Sequence, residues 1–228
     1  MSNDLNTEII MVLDRSGSMN ICSSDVVGGF NSFIEEQKNG KGNARVTLAQ
    51  FDDLYEMVYD NQPIENVSKL DFHPRGSTAL LDAIGKTILS SKDRIKKQRP
   101  GPDVVIFVII TDGQENASRE FSKEKIKGLI AECEQMGWKF VYLGANQDAF
   151  SEAGQYGIAA TGTMRYDSVK GTQKMFTSVS NSTSSYRFRA SELKNSGDEK
   201  SIRALADEDF FSEEDRKKNS GSSGHIQW

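Results

Sequence analysis

The chain has 228 residues, with 28 Lys and Arg against 33 Asp and Glu, a formal net charge of −5. That length holds one α/β domain with a full core and a short tail, and the mildly acidic balance argues against nucleic-acid or anionic-membrane binding. Two cysteines at unrelated spacing, Cys22 and Cys133, exclude a disulfide framework or thiolate zinc site as the organising device and favour a reducing compartment.

The amino terminus runs into the first strand with neither a basic start nor a cleavage signature, and no stretch is long enough to span a bilayer. A cytoplasmic location is therefore expected.

A strand over 8–13 ends in Asp14-Arg15-Ser16-Gly17-Ser18. An acid and two hydroxyls stand two apart on a turn that leaves a buried strand. All three are hard oxygen donors, which suit Mg²⁺, Mn²⁺ or Ca²⁺ and suit soft metals poorly. A helix follows with Val26, Val27, Phe30, Phe33 and Ile34 on one stripe. Strands over 45–51 and 55–59, separated by Asp52-Asp53-Leu54, predict an antiparallel hairpin at a sheet edge. His73-Pro74-Arg75-Gly76-Ser77-Thr78 then leads into a helix carrying Leu81, Ile84, Ile88 and Ile95. His73 reads as a surface histidine and Cys22 as a small buried residue.

Residues 104–110 are all apolar and six of the seven are β-branched, which predicts a central strand covered on both faces. It ends at Thr111-Asp112-Gly113. A helix over 122–136 places Ile126, Leu129, Ile130 and Cys133 on one face, with Ser122 as N-cap and Gly137 beyond its end. A strand over 139–143, the loop Gly144-Ala145-Asn146-Gln147-Asp148, a short helix over 149–156, a weak strand over 158–163 and a polar helix over 169–187 complete a domain spanning 1–190. From 191 to 228 the chain is charged, poor in aliphatics and rich in serine, and reads as a flexible tail. Within it, residues 207–215 set six acids around Phe210 and Phe211.

Alternating apolar runs and helical patterns predict an α/β fold with a mostly parallel sheet covered on both faces. In such sheets ligands bind beyond the carboxyl ends of the strands, where the strand order reverses. With a 3-2-1-4-5 order, Asp14 and Asp112 face each other across that crevice. A divalent cation between them would remove their repulsion.

The Asp14–Ser18 turn, Thr78 in Gly76-Ser77-Thr78-Ala79-Leu80-Leu81-Asp82, and Thr111-Asp112-Gly113 resemble the von Willebrand factor A (VWA) domain family. The likeness spans roughly residues 7–163. It implies a doubly wound, Rossmann-like, six-stranded sheet with one antiparallel edge strand. It also implies a metal-ion-dependent adhesion site holding Mg²⁺ (or Mn²⁺) and completed by an acidic residue of a partner protein. By matched position, Ser16, Ser18 and Thr78 would be hydroxyl ligands, while Asp14 and Asp112 would bind directly or through water. An ordinary turn with capping hydroxyls is the bland alternative for these residues, as is a helix cap for Thr78. Gln114, Glu115, Asn116, Asn146 and Asp148 should rim the same edge, as partner contacts or as solvated loop residues. The small size and short tail fit an intracellular bacterial or phage member.

These features predict a non-enzymatic, metal-dependent protein-interaction module. A metal-dependent phosphohydrolase is a weaker alternative: Ser16 stands where a second aspartate would be needed, and no Gly-rich Lys-Ser/Thr phosphate loop is present. Self-association is a third reading, in which the acidic segment 207–215 occupies the metal site and its phenylalanines anchor beside it.

Overall fold

A computed structural model describes residues 4–145 and 148–219. Six strands form one sheet in the order β3-β2-β1-β4-β5-β6. The strands are β1 (Asn6–Asp14), β2 (Asn43–Phe51), β3 (Tyr55–Pro63), β4 (Val104–Thr111), β5 (Trp138–Gly144) and β6 (Thr163–Arg165). β3 pairs antiparallel with β2, and every other pairing is parallel. The expected fold class is the observed one, a mostly parallel doubly wound sheet with one antiparallel edge.

The strand alternation builds both layers. Ile9, Met11 and Leu13 of β1 and Ile106, Val108 and Ile110 of β4 face one apolar core. That core is closed by α1 (Ser23–Lys38) and α5 (Thr172–Asn195) through Phe30, Phe33, Phe176 and Val179. Ile10, Val12, Phe107 and Ile109 face the other core. There α2 (Leu80–Lys97), α3 (Lys123–Gln135) and α4 (Ala149–Gln155) contribute Ile84, Ile88, Ile126, Ile130 and Ala153. Because β1 and β4 are buried on both faces, their near-continuous apolar runs are what a sandwiched parallel sheet requires. Ser122 caps α3 by accepting the Lys125 N–H at 3.3 Å, and Gly137 ends that helix region at φ +86°. Cys22 and Cys133 are free and buried.

Three segments differ from the sequence reading. β3 runs on to Pro63, with register irregularities opposite Val46–Ala49 that bend it along the edge. The weak strand shrinks to Thr163–Arg165, because residues 160–162 form a 3-10 turn. The third difference is larger. α5 continues through position 190 to Asn195, followed by α6 (Glu199–Ala204) and α7 (Glu213–Asn219).

Up to residue 219, the segment expected to be a flexible tail is packed on the domain. Ile202, Leu205, Phe210 and Phe211 are buried in the same core as α1 and α5. The Phe210 ring lies 5.9 Å from that of Tyr186 and 5.0 Å from Phe211. The Phe210 N–H donates to the Thr161 carbonyl at 3.0 Å. Lys139, at the start of β5, donates its ammonium to the carbonyls of Ala206 and Glu208 at 2.8 and 2.6 Å. Burial pulls Lys139 down to about 8 even though Asp209 and Asp207 act to raise it. Four apolar side chains in a charged stretch suffice to dock it, since each fully buried one contributes about 1.5–3 kcal/mol. The two phenylalanines therefore belong to the chain's own core, at the end of β5 away from Asp14 and Asp112. They do not serve as anchors beside those acids.

Candidate functional site

The carboxyl ends of β1 and β4 lie side by side, since Leu13 pairs with Ile110. Asp14 and Asp112 thus leave the sheet at the point where its order reverses. Asp14 is fully buried. Its carboxylate accepts the Ser16 N–H at 2.7 Å and the Thr111 hydroxyl at 2.7 Å. Burial pushes the Asp14 carboxyl up to about 6, with Asp112 adding to the rise while the Thr111 and Ser16 bonds oppose it. Asp112 is pushed up as well, by burial against the opposing bond from Ser18.

Above this base the hydroxyls converge. Ser18 donates to Asp112 at 2.6 Å, and the Ser16 and Ser18 oxygens are 3.1 Å apart. A Cβ added to Gly113 would stand 3.1 Å from the Thr78 oxygen, 3.5 Å from that of Ser18 and 3.8 Å from that of Ser16. Three hydroxyls from two distant loops therefore surround one backbone position of the third loop. A side chain at 113 would press on the Thr78 hydroxyl and touch the other two. Asp14 and Ser16 are buried, whereas Ser18 is exposed and Asp112 partly so, so the cluster opens outward to solvent.

Backbone bonds hold the loops in register. The Arg75 N–H donates to the Arg15 carbonyl at 2.8 Å and the Gly17 N–H to the Gly76 carbonyl at 3.2 Å. Gly76 sits at φ +65°, and a Cβ there would collide with the Asp53 carboxylate at 2.0 Å. The loop after β4 is stitched to the start of α2. Asn116 accepts the Thr78 N–H at 2.9 Å, and Glu115 accepts the Leu81 N–H at 2.9 Å. Asp82 accepts the N–H groups of Arg119, Glu120 and Phe121 at 2.9 Å each. α2 receives no cap from its own preceding residue; Glu115 and Ser118 supply acceptors from across the loop instead.

The structure thus brings Asp14, Ser16, Ser18, Thr78 and Asp112 into one cluster. Of the expected rim, Gln114 is exposed at the same edge and Asp148 is exposed at the start of α4. Glu115 and Asn116 turn their side-chain oxygens toward the α2 segment rather than only outward. Asn146 lies outside the described residues. His73 is exposed and pairs with Asp71 at 2.8 Å.

Sequence reasoning missed the supports. Thr111 was read only as a strand end, yet its hydroxyl holds Asp14. Arg15 is buried and donates to Asp52 at 2.9 Å and Glu56 at 2.6 Å, and Arg75 donates to the same Asp52 oxygen at 2.9 Å. An acid closing a buried strand, as Asp52 closes β2, was the available signal.

Among the described residues no group of three or more His, Cys, Asp and Glu side chains is placed to hold a metal. This cluster is of another kind, with two carboxylates and three hydroxyls. An all-oxygen set fits a hard divalent cation, and two closely placed acids with raised proton affinity fit a site that gains from positive charge.

An open α/β sheet with acids and hydroxyls gathered at its switch point is a domain of the doubly wound class, in which ligands generally bind at that edge. The model of the von Willebrand factor type A domain matches residues 8–185, and the chain belongs to that family. Comparison with curated proteins finds no match. Among solved structures, the chain is similar to proximal thread matrix protein 1 from the mussel byssus (TM-score 0.56, 16% identity, 78% of this chain and 46% of that one). It is also similar to the pilus adhesin SpaC from Lactobacillus rhamnosus GG (0.60, 14%, 79% and 31%). A third is the manganese-loaded Plasmodium vivax TRAP protein (0.52, 14%, 73% and 70%). The chain spans less than half the length of the mussel protein and of SpaC, and at these identities the likeness is one of fold. No helix among the described residues is long and apolar enough to cross a membrane.

Proposed function

We propose that this chain is a metal-dependent protein-interaction module. Asp14, Ser16, Ser18, Thr78 and Asp112 would hold a divalent cation, Mg²⁺ or Mn²⁺, that recruits an acidic residue of a protein partner. The observation that carries the reading is the convergence of the Ser16, Ser18 and Thr78 hydroxyls beside Asp112, above the buried Asp14. The bound ion would stay electrophilic toward a further carboxylate, because only two of its five protein donors are anionic and they do no more than balance its charge. Asp14 fixes the turn from beneath, and Ser18 and Asp112 lie where an incoming carboxylate can approach. Similarity in fold to a manganese-loaded protein and to an adhesin supports the reading.

Binding rather than catalysis is favoured by the side chains at hand. His73 is on the surface with Asp71, and burial pushes the Cys22 thiol up to about 11, so neither is poised as base or nucleophile beside the cluster.

The test is a Mn²⁺ titration followed by electron paramagnetic resonance. One saturable site is expected in the wild-type chain and none in Asp112→Ala. Equal binding by both proteins would remove the proposal.

A further inference from the structure

Seven large apolar side chains are exposed among the described residues: Ile21, Leu54, Leu89, Met136, Phe150, Val169 and Phe188. Four of them belong to loops or helix starts at the carboxyl edge of the sheet, around the candidate cation site. Ile21 is 64% exposed in the 3-10 turn Gly17–Cys22 that continues the Asp14–Ser18 loop. Leu54 is 60% exposed at the tip between β2 and β3. Phe150 is 44% exposed in the first turn of α4, beyond β5. Val169 is 55% exposed between β6 and α5. The other three are scattered along α2, at the end of α3 and on α5.

These four residues frame the acids and hydroxyls. Gln173 of α5 donates to Asp25 of α1 at 2.7 Å, which joins the starts of the two helices that Val169 and Ile21 precede. Leu54 lies at the opposite side. Four strand spacings of ~4.8 Å separate β2 from β6, so the frame is roughly 20 Å wide. Beside Leu54 opens a trough of about 810 Å³, bounded by Gly76 and Ser77 on one bank and Asn116 and Arg119 on another. Leu54 and Tyr55 give its mouth an apolar surface, among the charged side chains of Asp53, Asp82, Lys86, Arg119 and Glu120. Ser77 and Ala79, on either side of Thr78 in the chain, both line the trough, which places its rim near the cluster.

Four of the seven exposed apolar groups lie around one site, and apolar anchors around a central polar contact are the usual anatomy of a recognition surface. We infer that the partner is a protein segment whose acidic residue is flanked by large apolar side chains. The carboxylate would meet the cation, one apolar neighbour would pack on Leu54 and Tyr55 at the mouth of the trough, and another would cover Ile21 and Val169. This inference rests on the cation-bridged reading above and adds the chemistry of the flanks. The chain's own segment of this character, Asp209-Phe210-Phe211, is not the occupant, because both its rings are buried in the core.

The experiment uses a random dodecapeptide library displayed on phage, selected on the immobilised full chain in Mn²⁺ and eluted with EDTA. Enriched sequences are expected to share Asp or Glu with Leu, Ile, Phe or Met within a few positions. Synthetic peptides of those sequences should lose about tenfold or more in affinity for Leu54→Ser and Ile21→Ser. The Mn²⁺ affinity of both variants should stay at the wild-type value, which also reports that they are folded. Acidic sequences without apolar flanks, or equal peptide affinity for the variants, would overturn this inference alone. No EDTA-elutable acidic sequence at all would overturn it together with the cation-bridged reading. Light scattering in Mn²⁺ covers the remaining occupant: a dimer abolished by Ile21→Ser would replace the proposed partner with a second copy.

Discussion

Arg15 and Asp52 form a buried ion pair, Nε to Oδ2 at 2.9 Å, that ties the turn after β1 to the turn after β2. Arg75 reaches the same oxygen from the loop that carries Thr78. Burial alone would raise the Asp52 carboxyl, but the Leu54 N–H, Arg75 and Arg15 outweigh it and hold it below the usual range. One carboxylate thereby positions two loops that contribute four of the five cluster residues.

Removing that carboxylate should loosen the site as well as the fold. Asp52→Ala leaves the Arg15 guanidinium buried with only Glu56, and breaking a buried pair costs about 3–5 kcal/mol. Urea denaturation should show a loss of this order. Mn²⁺ affinity, measured under conditions where the variant is folded, should fall as well. An unchanged metal affinity would mean that the backbone bonds between Arg15, Gly17, Arg75 and Gly76 suffice to hold the loops.

The cation itself should stabilise the chain, because it binds the assembled cluster and not the unfolded chain. At a concentration of about 100 times its dissociation constant the gain is about 2.7 kcal/mol. Thermal unfolding in MgCl₂ or MnCl₂ should show a raised midpoint that EDTA reverses. Asp14→Ala and Asp112→Ala should show no metal-dependent shift. Thr78→Ala should keep a reduced one, since it removes a neutral donor and leaves both charges.

The carboxy-terminal segment should behave as core. Phe211 is 1% exposed and packs edge-on against Phe210. Phe211→Ala should cost about 3–5 kcal/mol, the range for truncating a buried aromatic side chain. A chain ending at Ala190 loses Ile202, Leu205, Phe210 and Phe211 together and should unfold at clearly lower urea than the full chain. Equal midpoints would show that the segment docks without contributing to stability.

Alkaline pH should weaken the fold partly through one thiol. Burial pushes Cys133 up from its ordinary 9.0 to about 12. Below pH about 9 the thiol is neutral in both states and its contribution is intact. As pH rises from about 9 toward about 12 the unfolded chain releases this proton while the folded chain retains it, so stability falls. Cys133→Ala lowers stability at every pH by leaving a small cavity, but should lose less than the wild type between about pH 8 and about pH 10. Urea midpoints at the two pH values provide the comparison.

Much of this was legible in the sequence. The β-branched run of β4 and the apolar run of β1 announced central strands, and an acid directly after each announced the sheet edge where ligands bind. The serines of the first turn and Thr78 could be read because their spacing is local or motif-bound. Arg15 and Asp52 could not be paired by inspection, because 37 positions separate them and their meeting depends on the parallel register of β1 and β2. The carboxy-terminal segment was misread for a different reason. Its buried apolar residues are four among many charges, and composition averages them away, whereas packing depends only on where they land. Ile202 and Phe211 land in the core closed by α1 and α5.

β1 sits between β2 and β4, yet β2 follows it closely while β4 begins at Val104. A ribosome that has released only the first half of the chain has therefore exposed a hairpin beside a strand with one flank still open. Closure of that flank depends on pairing across a long loop, the slow kind of step in folding. The helices α6 and α7 dock later still, against α5 and β6, so the face closed by Ile202, Phe210 and Phe211 is covered after the sheet itself.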